Sequence, residues 1–259
     1  NDIVLGTDSA RAMVLTGPNA GGKSTLVRTV ALIAIMAQCG AYVPARRARL
    51  SIVDAVVARM GASDNLMRGE STFMVEMRET AELLRHVSPR SLAILDELGR
   101  GTSTHDGAAI AFAVLSHLVH ERPLVFFVTH YAHLVDAFAA DARVRSCHMA
   151  FLEQQTSEAD SDKTRPEQAS EANDDVARLE QQSSQIHDDI ADIIFLYKLV
   201  RGASVDSFGL NVARLAGLPE PLLRRARERA RWMRTELDSK WAARSARQLQ
   251  FTVAQARLG

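Results

Sequence analysis

One octapeptide constrains this chain more than any other feature. Gly17-Pro18-Asn19-Ala20-Gly21-Gly22-Lys23-Ser24 fits the pattern G-x-x-x-x-G-K-S/T without a mismatch. It follows a short apolar, β-prone run, Ala12–Thr16, and precedes a stretch of helical periodicity from Gly22 to Cys39. Glycines let backbone N–H groups curl around a phosphate without Cβ clashes. A helix starting near Gly22 points its positive end at the same anion. Lys23 places an ammonium against β- and γ-phosphates, and Ser24 offers a hydroxyl to Mg2+. The chain has only four lysines, and one of them falls at the required place. A strand–loop–helix unit that binds a nucleoside triphosphate is therefore expected.

The rest of the chain supplies a sheet for such a loop. Arg49–Met60 reads as a strand and Phe73–Val87 as a helix stopped by Pro89. Ser91–Leu95 reads as a buried strand, Asp106–His120 as a helix, and Leu124–Thr129 as another buried strand. Strands alternating with helices predict an α/β fold, a mainly parallel sheet with helices on both faces. Residues 1–152 form this core. Residues 153–190 hold eleven acidic and three basic residues, a net of −8 in a chain whose formal charge is zero. Rich in Gln and Ser and poor in aromatics, they cannot bury enough apolar area to offset ordering entropy, and a disordered insertion is predicted.

Asp192–Arg201 restores β character, so 191–205 reads as a strand returning to the core. Residues 206–259 read as a helix–turn–helix segment and tail. Phe208–Ala216 is a short helix, Gly217-Leu218-Pro219 a turn, and Glu220 opens a long helix to about Ala243. Leu222, Leu223, Ala226, Ala230, Met233 and Leu237 form an apolar stripe bordered by arginines. Contact with DNA phosphates and docking with a solvated basic face both fit that pattern.

Zero net charge excludes a uniformly basic nucleic-acid binder. Cys39 and Cys147 sit in apolar stretches and read as buried, reduced thiols. No run reaches the ~18 apolar residues of a membrane span. The longest, Val30–Ala37, reads as a buried helix, so no membrane partner is expected. The chain starts at Asn1 without a methionine and enters a strand almost at once, as a piece of a longer protein would.

Further candidates lie at strand ends. Asp96-Glu97 closes the apolar run Ser91–Leu95. A carboxylate there can hold Mg2+, and the next can deprotonate an attacking water; a surface acid is the plain alternative. His130 follows the strand ending at Thr129, where it can meet a γ-phosphate or serve only structure. Leu98–Thr104 suits a ligand-touching loop or an exposed turn. Glu70-Ser71-Thr72 precedes a helix, with Glu76 later; a helix N-cap and an anion contact need the same residues.

TGPNAGGKST, GESTFMVEM, LDELGRGTSTHDG and VTHY, in this order and spacing, closely resemble the MutS family of mismatch repair proteins. The likeness covers Asn1–Glu153 and resumes from Ile190 to about Arg234. It implies an ABC-type P-loop ATPase domain, converting ATP and water to ADP and phosphate, with a C-terminal helix–turn–helix that helps dimerise. By motif, Gly17 through Ser24 and Thr25 would bind phosphates and Mg2+. Asp96 would be the Mg-linked acid, Glu97 the catalytic base and His130 the switch histidine. Ser71 would reach the partner subunit's γ-phosphate in trans. Tyr197 would pack near the adenine, while a stacking aromatic is expected just before Asn1.

ARLSIVDAVVARMGASDN and IIFLYKL look most like the eukaryotic homologue that pairs to recognise insertion–deletion loops; GASDNLMRGESTF also resembles its mismatch-recognising sister. The resemblance implies a heterodimer with a second MutS homologue, mismatched or looped DNA bound through upstream domains, a MutL-type partner and a nuclear location. A meiotic relative acting at recombination intermediates is the alternative. Transporter or chromosome-structuring ATPases of the same class carry an LSGGQ-like signature, absent here.

Overall fold

In the computed structural model, which describes residues 1–6, 10–61, 71–154, 192–204, 208–233 and 235–236, Ala12–Thr16 forms β1. It is buried along its whole length because both faces are covered. Ala12 and Val14 join one apolar cluster, Met13 and Leu15 another. The order then runs α1 (Lys23–Gln38), β2 (Val56–Arg59), α2 (Thr72–His86), β3 (Leu92–Asp96), α3 (Thr104–Glu121), β4 (Leu124–Val128), α4 (Ala132–Ala137), β5 (Val144–Gln154), β6 (Asp192–Arg201) and α5 (Gly209–Leu215).

The six strands make one sheet in the order β2-β3-β4-β1-β5-β6. The pairs β1–β4, β1–β5, β2–β3 and β3–β4 are parallel. Leu83 of α2, Leu115 and Leu118 of α3 and Leu134 of α4 cover the face that carries Val14, Leu95 and Phe127. Val27 and Ala34 of α1 cover the face that carries Leu15, Ile94 and Phe126. The fold is thus the expected α/β sheet with helices on both sides. Val128 pairs with both Leu15 and Asp96, so the chain leaves β1, β4 and β3 at one edge, side by side. Open sheets of this type bind ligands at that carboxyl edge.

Several elements depart from expectation. β2 is four residues long, because β3 offers Leu92 to Leu95 as its partners. Upstream of it, Asp54 accepts a hydrogen bond from Ser91 Oγ at 2.8 Å instead of joining the ladder. α3 starts two residues early because Ser103 Oγ accepts from the Asp106 amide and caps it. β5 and α4 were not expected, and residues 1–5 form no strand. Cys147 is buried, but Cys39 is exposed, since it caps the far end of α1 away from the sheet. Of Val30–Ala37 only Ala34 is buried, and Leu32 and Ile35 stand exposed, as α1 touches the sheet along a narrow face. Most of the acidic stretch (155–190), Glu70 and the long helix beyond 236 lie outside the described residues.

The chain divides into two compact units, 1–152 with 194–208, and 153–193 with 209–259. In the second, α5 has no buried residue, and a further helical run spans 220–233. Leu215, Leu218, Leu222 and Met233 stand exposed there, and the Arg229 guanidinium lies 3.9 Å from the Trp232 ring centre. Among the described residues no helix is long and apolar enough to cross a membrane.

Candidate active site

The phosphate loop leaves β1 at Gly17, whose φ of +117° suits glycine. A Cβ on Gly17 would lie 3.1 Å from the Met149 amide nitrogen, so β5 also forbids a side chain there. Pro18 and Gly21 are buried, while Asn19 and Ala20 are exposed. Ala20 holds a left-handed φ of +66°, a rare conformation for a residue with a Cβ. Gly22 sits at the N-cap of α1 without a side-chain cap, which leaves first-turn amides to a ligand. Ser24 is half-buried and Thr25 exposed on that turn. The buried Lys23 ammonium donates to the carbonyls of Gly17 at 2.7 Å and Pro18 at 2.8 Å, so the charge already lies inside the loop.

The acids meet it from β3. Asp96 is buried, and among the described residues its Oδ1 has no hydrogen-bond partner. An orphaned carboxylate oxygen is costly unless a cation or ligand takes it up. With the Ser24 hydroxyl on the neighbouring element, it fits a hard cation that draws its remaining ligands from phosphates and water. Among the described residues no group of three or more His, Cys, Asp or Glu forms a self-sufficient metal site.

Glu97 has a φ of +58°, a strained backbone for a residue with a long side chain. Its amide donates to the Val128 carbonyl at 2.9 Å. Burial raises its pKa; Arg100 opposes the rise and Asp96 adds to it. Burial lowers the pKa of Lys23, and Glu97 and Asp96 oppose that. His130 is pushed down to about 4, first by burial, then by Arg100 and Lys23. It is a neutral imidazole near pH 7. Its Nε2 accepts from Arg100 Nε at 3.0 Å, and its 3.8 Å approach to Glu97 Oε1 is therefore not an ion pair.

Comparison with known proteins decides the lineage. The family described as MutS domain V matches residues 13–234. The chain belongs to the MutS family. It is 50% identical over 233 residues to the DNA mismatch repair protein msh3 of Aspergillus fumigatus, covering 89% of this chain and 18% of that protein. It is 49% identical over 244 residues to msh3 of Emericella nidulans, covering 93% and 19%. For MSH3 of Coccidioides immitis the identity is 49% over 226 residues, covering 86% and 17%. This MutS domain is Msh3-like, the subtype favoured from its sequence, and spans about a fifth of the length of these relatives.

In this MutS domain, β6 carries Tyr197 back to the phosphate loop. A Cβ on Gly22 would lie 3.2 Å from Tyr197 Cδ1, so the ring covers that glycine. The Asn1 side chain donates to the Tyr197 carbonyl at 3.0 Å and accepts from the Leu199 amide at 2.8 Å. Ser71 is exposed at the N-cap of α2, where its Oγ accepts from the Met74 amide at 3.2 Å.

Sequence reasoning missed Arg100, whose Nη1 pairs with Glu97 Oε2. Its only signal was a cation three residues beyond the second acid. It also missed the buried Arg59–Glu76 pair, 3.2 Å apart, for which the sequence offered only an arginine in a strand and a glutamate on a helix.

Proposed function

We propose that this MutS domain binds and hydrolyses ATP with Mg2+, and that its nucleotide state gates a dimeric clamp on mismatched or looped DNA. The observation that carries the reading is the row Leu15, Val128 and Asp96. It sets the Lys23 loop, His130 and the two acids at one sheet edge. In this reading Gly17 to Thr25 cradle the phosphates, and Lys23 neutralises the β- and γ-oxygens. Ser24 and Asp96 hold Mg2+, which when bound offsets charge on the phosphates. Glu97, its proton affinity raised by burial, takes the proton of the attacking water. Neutral His130 faces the γ-phosphate side, and Tyr197 packs beside the base.

Ser71, exposed at the start of α2, serves the γ-phosphate of a second MutS homologue. The exposed Leu215, Leu218, Leu222 and Met233 support a dimerisation surface in the second unit. DNA is bound by upstream domains, a MutL-type protein reads the closed state, and the protein works in the nucleus. The γ-phosphate then biases a two-state element.

The test is ATP hydrolysis and retention on looped and homoduplex DNA by the full-length protein with its partner. ATP should change retention on looped DNA in particular, and ADP should not. Retention indifferent to nucleotide would overturn the clamp.

A further inference from the structure

The loop carrying Glu97 is pinned two residues on, at Gly99. The Gly99 amide donates to Glu76 Oε1 at 2.8 Å. Its carbonyl accepts from the Tyr131 hydroxyl at 3.0 Å. A Cβ on Gly99 would lie 2.5 Å from the Gly107 carbonyl oxygen, so α3 closes the third side. Glu76 comes from the second turn of α2 and is 3% exposed; its partner Arg59, from β2, is 5% exposed. Arg59 Nη1 also donates to the Asp96 carbonyl at 2.9 Å.

A buried ion pair is weak evidence for stability, because an apolar pair of similar volume often does as well. Here the pair spends its polar atoms on the backbone to either side of Glu97: the Asp96 carbonyl before it and the Gly99 amide after it. The residue so bracketed is itself in left-handed backbone, a conformation that persists only where its surroundings over-determine it.

We propose that Glu76, with Arg59, is a positioning residue for Glu97. By holding the Gly99 amide and bracketing the strained peptide, it aims the Glu97 carboxylate and ties it to α2. The same helix starts at Ser71, and a Cβ on Gly101 would lie 3.0 Å from Phe73 Cα, so the loop rests on the first turn of α2. A shift of α2, as when Ser71 engages another subunit, is passed to the backbone of Glu97. This inference rests on the proposed reading of Glu97 as the base.

The test uses the full-length protein with its partner and two double variants that strand no charge. Arg59→Met/Glu76→Gln keeps an oxygen that can accept from Gly99; Arg59→Met/Glu76→Leu removes it. Misplacing a reacting group by about 1 Å costs up to about a hundredfold in rate. The Leu variant should turn over at least about fivefold more slowly than the Gln variant, at an ATP KM within about twofold. Equal kcat values, or a difference carried by KM, would overturn the proposal. If the Leu variant does not fold, Arg59→Met/Glu76→Met, which fills similar space without an acceptor for Gly99, takes its place; lower kcat than the Gln variant at constant KM supports the proposal and equal kcat overturns it. A Glu97→Gln protein with full turnover would remove the reading of Glu97, and this inference with it.

Discussion

Arg100 Nη1 stands 2.5 Å from Glu97 Oε2, which places a partly exposed cation on the carboxylate assigned to proton abstraction. Burial raises the Glu97 pKa and Arg100 holds it down. Removing Arg100 should raise it further. A base works deprotonated, so the acid limb of the kcat–pH profile should move to higher pH in Arg100→Ala. The measurement belongs on a His130→Asn background, because Arg100 also depresses the histidine. An acid limb that stays in place or moves down would contradict the pairing.

His130 gives a second pH dependence, in stability. Its pKa is about 4 in the fold against 6.5 when free. Between those values the unfolded chain binds a proton that the folded chain does not. The stabilisation from this difference is complete above pH 6.5 and is lost as pH falls towards 4. Urea melts of the wild type and His130→Asn over this window should diverge, with the variant showing the flatter slope. Parallel curves would mean that the imidazole is not desolvated as described.

Glu97→Gln should still bind ATP and hydrolyse it about a hundredfold to ten-thousandfold more slowly, the usual weight of a general base. Equilibrium binding and single-turnover hydrolysis separate the two effects. Turnover within about threefold of wild type would transfer the role to another group.

Gly22→Ala should weaken ATP binding by at least about tenfold. The left-handed φ of +90° costs a side chain about 1–2 kcal/mol, and the new methyl would meet the Tyr197 ring at 3.2 Å. The rest of the sheet does not depend on Gly22, so the melting temperature should fall by only a few degrees. Unchanged ATP affinity would show that neither the loop shape nor Tyr197 matters to binding.

How much of this was legible in advance follows from where each signal is stored. The phosphate loop, Asp96-Glu97 and His130 could be read because each follows a continuously apolar strand, and a strand buried on both faces declares itself locally. β5 could not. Val144–Gln154 contains Arg145, Ser146 and His148, and becomes a strand through pairing with β1. The Arg59–Glu76 pair joins residues on different elements, so no local pattern announces it. Cys39 was misjudged because an apolar stretch does not say how far its helix runs past the sheet. Tyr197 was placed by resemblance alone, and its φ of +54° left no trace in the sequence.

The most direct test of the whole account is ATP affinity with Lys23 replaced. The Lys23 ammonium sits in the loop within reach of the Gly17 and Pro18 carbonyls, where an incoming phosphate would take it over. Titration of Lys23→Ala and wild-type full-length protein with ATP should show at least about a tenfold loss of affinity and near-complete loss of hydrolysis, the expected weight of a buried charge on phosphate. Equal affinity and equal turnover in the two proteins would contradict the assignment of this loop as the triphosphate site.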